Sequence, residues 1–214
     1  PLARGVVEFG VRTIAPGRAC RTRAGWLTLQ RRAIRDATAR LLRAIDPRQI
    51  RARLSDDIDA HRRAKLLINS SLDPVTAVMG CTMGEVFASR DGRRAFLALL
   101  REGVAVARAS GWRLAHVGGT RPTTLAAVFG APVIGSLAAA VATWQARGVI
   151  TALAGDVRRG RAGEIDHLCG AIVRAGERAG VPTPTHRRAI EVVTASASGA
   201  ERARSALAAA LLDR

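Results

Sequence analysis

Tyrosine is absent from this 214-residue chain, and aromatic residues of all kinds make up 3% of it. A core built from this sequence must therefore be aliphatic, with Ala, Leu and Val doing the packing. Lysine is nearly absent too. Of 34 basic side chains, Lys65 is the one that is not arginine. Acidic residues number 17, leaving a formal net charge of +17. Cysteine occurs three times (Cys20, Cys81, Cys169), an odd count with no metal-ligand spacing. Reduced, mostly buried thiols in a cytoplasmic protein are expected, and no metal site. No run approaches the roughly 18 consecutive apolar residues of a membrane span. The longest apolar patch, "AAVFGAPVIGSLAAAVATW" (126–144), is broken by Gly130, Pro132 and Gly135 and reads as buried helices. The chain opens at Pro1 with no charged-then-apolar leader, so no signal peptide is expected.

A chain of this length makes one generous domain or two small ones and can bury a core without disulfides. Its charge invites a nucleic-acid reading. The arginines, however, come as scattered pairs such as Arg31-Arg32, Arg62-Arg63, Arg93-Arg94 and Arg187-Arg188, and no aromatic residues interleave with them to stack on bases. They read as a solvated surface. Nucleic acid is not expected as a partner, and a steep salt dependence of binding would be its signature.

Residues 5–14 and 17–29 carry β-branched and aromatic residues in rough alternation around "APG", which predicts a β-hairpin. A lone hairpin is marginal in water, and the chain offers almost no further strands. "IRARLS" (50–55) is one short candidate. From residue 30 the period turns helical. A first helix puts Ile34, Ala37, Leu41, Leu42 and Ile45 on one stripe and stops at Asp46-Pro47. A second starts from N-cap candidates Ser55, Asp56 and Asp57 and runs to about Ser71, with Pro74 opening another short segment. An amphipathic helix ends near Gly111, and residues 112–122 form a loop. Further helices are predicted at 122–129, 133–146, 149–159, 163–180, 185–195 and 199–212. His61, His116, His167 and His186 have no ligand-like partners in sequence and are expected at the surface or as caps.

Lys65, Asn69 and Asp73 recur every four residues, which advances only about 40° around a helix each time. They form one polar stripe among Leu66, Leu67, Ile68 and Leu72, and such a stripe faces either water or a pocket. Arginine is always protonated and cannot hand a proton to a substrate, whereas lysine can. A position that keeps lysine in an arginine-saturated chain is a candidate for proton transfer. Ser70 and Ser71 follow Lys65 by five and six residues, a poor spacing for a Ser-Lys pair.

"KLLINSSLDPVTAVMG" (65–80) resembles the ketopantoate reductase family motif K-x-x-x-N-x-x-x-N-P-x-T-A, and "GDVRRGRAGEIDHLCGAIVRAGERAGVPTPTHRRAIEVV" (155–193) resembles the family's second long motif. "LSDDI" (54–58) matches its short strand into the first helix of the helical domain. The resemblance implies a mainly α fold: an all-helical domain of the 6-phosphogluconate dehydrogenase C-terminal-like kind, preceded by a β-hairpin from the end of a Rossmann domain. Residues 1–48 would be the end of the nucleotide-binding domain, and 49–214 the helical substrate-binding and dimerisation domain. It implies NADPH-dependent reduction of a 2-keto acid, 2-dehydropantoate to pantoate or a related pair, by a cytoplasmic homodimer. Lys65 would be the general acid, Asn69 and Asp73 would stand at substrate-binding positions, and Glu164 would hold a substrate hydroxyl. Read without the resemblance, Glu164 is an acid in a helix's first turn, favourable to the dipole.

Three departures from the family pattern stand out. No G-x-G-x-x-G occurs, so this chain alone is not expected to bind NADPH tightly, its cofactor-binding residues stay unassigned, and the hairpin reads as the end of something longer. Asp73 replaces the usual asparagine, and an anion there repels a keto acid's carboxylate. Ala152 aligns with the family's carboxylate-binding serine, with Thr151 one position earlier. The alternative to a reductase is a non-catalytic helical dimerisation remnant, in which a Lys65→Arg substitution would be silent.

Overall fold

The computed structural model of the protein describes residues 4–31, 40, 42–46, 48 and 50–198. The chain divides into two compact units. One holds the chain through Lys65 together with Arg113–Arg121, and the other holds Leu66–Trp112 and the chain from Pro122 onward. Mainly α structure is present as expected, with the strands in the first unit. The helix expected over 199–212, and Ile34, Ala37 and Leu41 of the first predicted helix, lie outside the described residues.

In the first unit the hairpin is divided between two sheets. Strands β2 (Gly10–Ala15) and β3 (Arg18–Arg23) pair antiparallel around a turn in which Gly17 takes φ 70, a backbone state that favours glycine. Strands β1 (Gly5–Val7) and β4 (Trp26–Gln30) pair with each other, and β5 (Arg51–Ser55) joins β4 in parallel, in the order β1-β4-β5. The short candidate strand is thus the partner that the hairpin appeared to lack. At the division Gly25 lies so close to the Glu8 carbonyl that a Cβ would collide with it. Val6, Thr28 and Leu29 are buried in the three-stranded sheet. Arg53 ties this unit together. It pairs with the buried Glu8 at 2.9 Å, donates from Nε to Thr28 Oγ1 at 2.9 Å, and lies 5.2 Å from the centre of the Trp26 ring. Glu8 also accepts the Gly118 N–H at 3.2 Å, which fastens the loop Arg113–Arg121 to the strands.

Helix α1 (Ile58–Met79) begins where expected: Asp57 Oδ1 accepts the Ala60 N–H at 3.1 Å and Ser55 Oγ accepts the Asp57 N–H at 3.1 Å. It does not stop near Ser71. Pro74 lies inside it, although proline removes the bond to the carbonyl four residues earlier. That carbonyl belongs to Ser70, and it accepts a hydrogen bond from the Cys169 thiol at 3.5 Å instead. A donor from a distant element thus stands in for the missing N–H.

The second unit continues with α2 (Met83–Ala88), α3 (Arg90–Ala109), α4 (Pro122–Gly130), α5 (Pro132–Gln145) and α6 (Ala152–Arg158). A π-helical turn, Asp166–Gly170, then leads into α7 (Ala171–Ala179), and α8 is Pro184–Ala197. Thr82 and Glu85 form a capping box for α2, and Ser89 caps α3. Gly180 ends α7 with φ 66, the left-handed residue the sequence places there. The core is aliphatic as the composition requires, with Leu67, Leu99, Leu100, Leu153 and Ile172 sealed from solvent. Three of the four phenylalanines, Phe87, Phe96 and Phe129, form one cluster with centroids 5.4–5.5 Å apart. The stretch 126–144 corrects an expectation. It is helical, but the large apolar residues of α5 face outward, Val133 being 82% and Trp144 71% exposed.

Candidate active site

Lys65, Asn69 and Asp73 all lie on α1, and their surroundings change along the stripe. Lys65 is half-buried, and its Nζ donates to the Val7 carbonyl of β1 at 2.6 Å. That contact holds the ammonium at the end of an otherwise flexible stem. Asn69 is half-buried, and among the described residues no hydrogen bond engages its amide. Asp73 is buried, six residues before the helix ends. Glu164 is exposed in the turn before the π-helical segment, and among the described residues its carboxylate makes no hydrogen bond. Helix α1 therefore brings three of the predicted residues onto one stripe, while Glu164 stands on a separate element.

Thr151 caps α6, its hydroxyl accepting the Ala154 N–H at 3.2 Å, and lies 2.6 Å from the Thr76 hydroxyl. Thr76 donates its single proton to the Asp73 carbonyl at 2.8 Å, so Thr151 must be the donor between the two hydroxyls. Its proton is thereby occupied and cannot replace the missing serine hydroxyl at exposed Ala152. Ser70 and Ser71 are buried with both hydroxyls bonded to the Leu67 carbonyl, at 3.3 and 2.6 Å, which gives them no part in a Ser-Lys pair. Of the cysteines, all free, Cys169 is buried and Cys81 half-buried, whereas Cys20 is exposed on β3, against expectation. Burial pushes the Cys169 thiol far up, helped by the negative charges of Asp73 and Glu102, so it stays protonated as the donor to Ser70.

His186 is the residue most at odds with the sequence reading. It is fully buried rather than superficial. Its Nδ1 lies 2.5 Å from Glu102 of α3, and the same carboxylate accepts the N–H groups of Thr185 and His186 at 2.9 and 2.8 Å. Glu102 thus caps α8 from another helix, where Thr183 makes no side-chain cap. Its neighbour Gly103 leaves room for Leu67, whose Cδ2 would lie 2.8 Å from a Cβ there. The clue in sequence is weak: a histidine directly after "PTPT" is an ordinary first-turn residue until the acid beside it is known. His116 and His167 are exposed as expected.

His61 is a pH-sensitive point in the first unit. Burial first, then the Arg53 charge, with a smaller contribution from His116, lowers its pKa below the ordinary 6.5, against the opposing pull of Glu8 and Asp57. Its Nδ1 is buried and has no hydrogen-bond partner among the described residues. The folded state thus prefers neutral His61. Its contribution to stability is complete above about pH 6.5 and is lost as pH falls through the lower folded value. Denaturant midpoints measured across pH 5 to 8 are expected to drop toward the acid end, and His61→Gln to flatten that slope.

Residues 57–197 match the family described as ketopantoate reductase PanE/ApbA C terminal. The chain belongs to the ketopantoate reductase family. The matched span runs from the cap of α1 to the end of α8, and so takes in Lys65, Asn69, Asp73 and Glu164. A 2-dehydropantoate 2-reductase of Pyrobaculum aerophilum is 28% identical over 148 residues, 69% of this chain and 47% of that protein. A PanE/ApbA family ketopantoate reductase from Ralstonia eutropha shares the fold at TM-score 0.70 and 23% identity, covering 92% of this chain and 59% of that one. D-mandelate dehydrogenase in complex with NADH shares it at TM-score 0.68 and 20% identity, over 93% of this chain and 63% of that one. The chain spans about half the length of the curated relatives it matches. A dinucleotide is held by a glycine-rich turn between a strand and the helix that follows it. Between the parallel strands β4 and β5 of this ketopantoate reductase family member, residues 31–50 contain no glycine. The sequence of that crossover thus lacks the glycines of such a turn.

Proposed function

We propose that this chain supplies the proton donor and the substrate contacts of an NADPH-linked 2-keto acid reductase. The observation that carries the reading is Lys65: the lone lysine of an arginine-rich protein, inside the family-matched segment, with its ammonium held on the Val7 carbonyl. A ketone undergoing reduction gathers negative charge on its oxygen, and that oxygen must collect a proton. Lys65 donates it. Asn69, whose amide makes no hydrogen bond among the described residues, hydrogen-bonds near that oxygen, and Glu164, whose carboxylate likewise makes none among them, accepts a substrate hydroxyl. NADPH is the reductant the family implies. The β4–β5 crossover lacks the glycines of a dinucleotide turn, so no step through NADPH is assigned to these residues. The protein acts as a cytoplasmic homodimer, a setting that suits its free thiols.

The substrate is not ketopantoate itself, or is one whose carboxylate is held loosely. Buried Asp73 repels an anion, Ala152 has no hydroxyl to offer, and the Thr151 proton is occupied. The test is NADPH consumption by the protein as its own cell makes it, across 2-keto acids and neutral hydroxyketones. Turnover of at least one ketone supports the reading, and turnover of none removes it. The double variant Asp73→Asn, Ala152→Ser is expected to raise kcat/KM for 2-dehydropantoate by about tenfold or more, the effect of some 1.4 kcal/mol. Low-KM turnover of 2-dehydropantoate by the wild type would overturn the substrate assignment.

A further inference from the structure

Helix α5 carries its large apolar side chains on the side away from its own fold. At about 100° per residue, Val133, Ile134, Leu137, Val141 and Trp144 fall within an arc of about 100°, and they are 82%, 60%, 70%, 48% and 71% exposed. The opposite face is made of small residues, with Gly135 and Ala139 buried and Ala142, Thr143 and Ala146 half-buried. That small face meets the rest of the helical unit closely. A Cβ on Gly84 of α2 would lie 2.8 Å from the Thr143 carbonyl, and one on Gly135 would lie 2.8 Å from the Phe129 carbonyl of α4. An amphipathic surface helix has the reverse arrangement, with its apolar stripe inward and its charges outward. A helix apolar on both faces needs a second cover.

We infer that this face is the homodimer interface, and that its occupant is the same face of a second copy of the chain. This deepens the homodimer assignment above and rests on it. The area fits: the exposed parts of the five side chains sum to on the order of 600 Å², close to the ~800 Å² per partner of a standard interface and at the top of the roughly 300–600 Å² range of a monomer's largest apolar patch, which is often functional. The electrostatics fit as well. Two chains of net charge +17 repel each other, and residues 122–146 contain no charged side chain, so here they can meet without bringing arginines together. An acidic protein or an anionic lipid surface would be drawn to the arginines instead. A two-fold axis lets one stripe serve both partners, each copy's Leu137 and Trp144 packing on the other's stripe.

Light scattering after size-exclusion chromatography over a concentration series, with circular dichroism as the folding check, tests this on the full chain. The wild type is expected at twice the mass of one chain. Leu137→Arg, and independently Trp144→Glu, are expected to weaken association about thirtyfold or more with the helical signal unchanged. Val133→Lys, at the most exposed position, serves as a third probe. A wild-type dimer that survives all three substitutions places the interface elsewhere and overturns this face while leaving the homodimer. A wild type that stays monomeric overturns both. So does a wild type that floats with phosphatidylglycerol vesicles instead of dimerising, or a monomer that dimerises once residues 199–214 are deleted, since the chain's own end would then be the cover. None of these readouts depends on turnover, so this inference and the reductase assignment fail separately.

Discussion

Glu102→Ala is expected to cost about 3 kcal/mol or more, since hydrogen bonds to a charged group are worth roughly 1.5–3 kcal/mol each. Three groups lose their acceptor at once: the Thr185 N–H, the His186 N–H and the His186 imidazole. His186 is sealed from solvent, so water cannot replace the carboxylate. Against a total stability of about 5–15 kcal/mol, the loss leaves α8 poorly anchored, and a fall in the urea midpoint measures it. Glu102→Gln should cost less, because one amide oxygen can still accept. The pH behaviour carries a sign. Burial works to raise the Glu102 carboxyl, but hydrogen bonds from His186 and Thr185 outweigh it and hold the group below its ordinary 4.5. A lowered acid contributes stability that is present above about pH 4.5 and lost as pH falls through the folded value. Acid unfolding should therefore begin below pH 4.5, and the Gln variant should lose that part of the slope. An unchanged midpoint in Glu102→Ala would show that α8 is anchored by packing alone.

Lys65→Ala and Lys65→Arg are each expected to lower kcat by about 10²–10⁴, the usual contribution of a general acid, on whichever ketone the protein turns over. The arginine variant is the sharper test. It keeps the positive charge and can still donate to the Val7 carbonyl, but it has no proton to give at neutral pH. If charge alone mattered, Lys65→Arg would keep wild-type turnover, and the proton-transfer role would be refuted. Stability should barely move in the arginine variant, and the alanine variant should lose only the roughly 0.5–1.5 kcal/mol of one hydrogen bond. Thermal melts run beside the kinetics separate the two effects.

The residues that name the family were legible early because they are local. Lys65, Asn69 and Asp73 share a stripe by arithmetic on the helical repeat, and Gly180 and Asp57 end and begin helices for reasons contained within a few residues. Where the reading failed, the deciding partner was far away in sequence. Pro74 predicts a break until the Ser70 carbonyl finds a thiol 99 residues distant. His186 looks like a surface residue until Glu102, 84 residues earlier, is placed beside it. The apolar stretch 126–144 reads as core because hydropathy does not say which face packs.

The sequence by itself determined the element types, the cap of α1 at Asp57, the aliphatic core and the identity of the candidate acid, since each follows from propensity, spacing or residue chemistry acting over one or two turns. Tertiary structure alone decided that β5 completes the sheet in parallel, that the Thr151 hydroxyl is consumed by Thr76, and that α5 turns its large side chains outward. Those outcomes depend on which distant backbone or hydroxyl group arrives within hydrogen-bonding or van der Waals range, and only the folded chain specifies that.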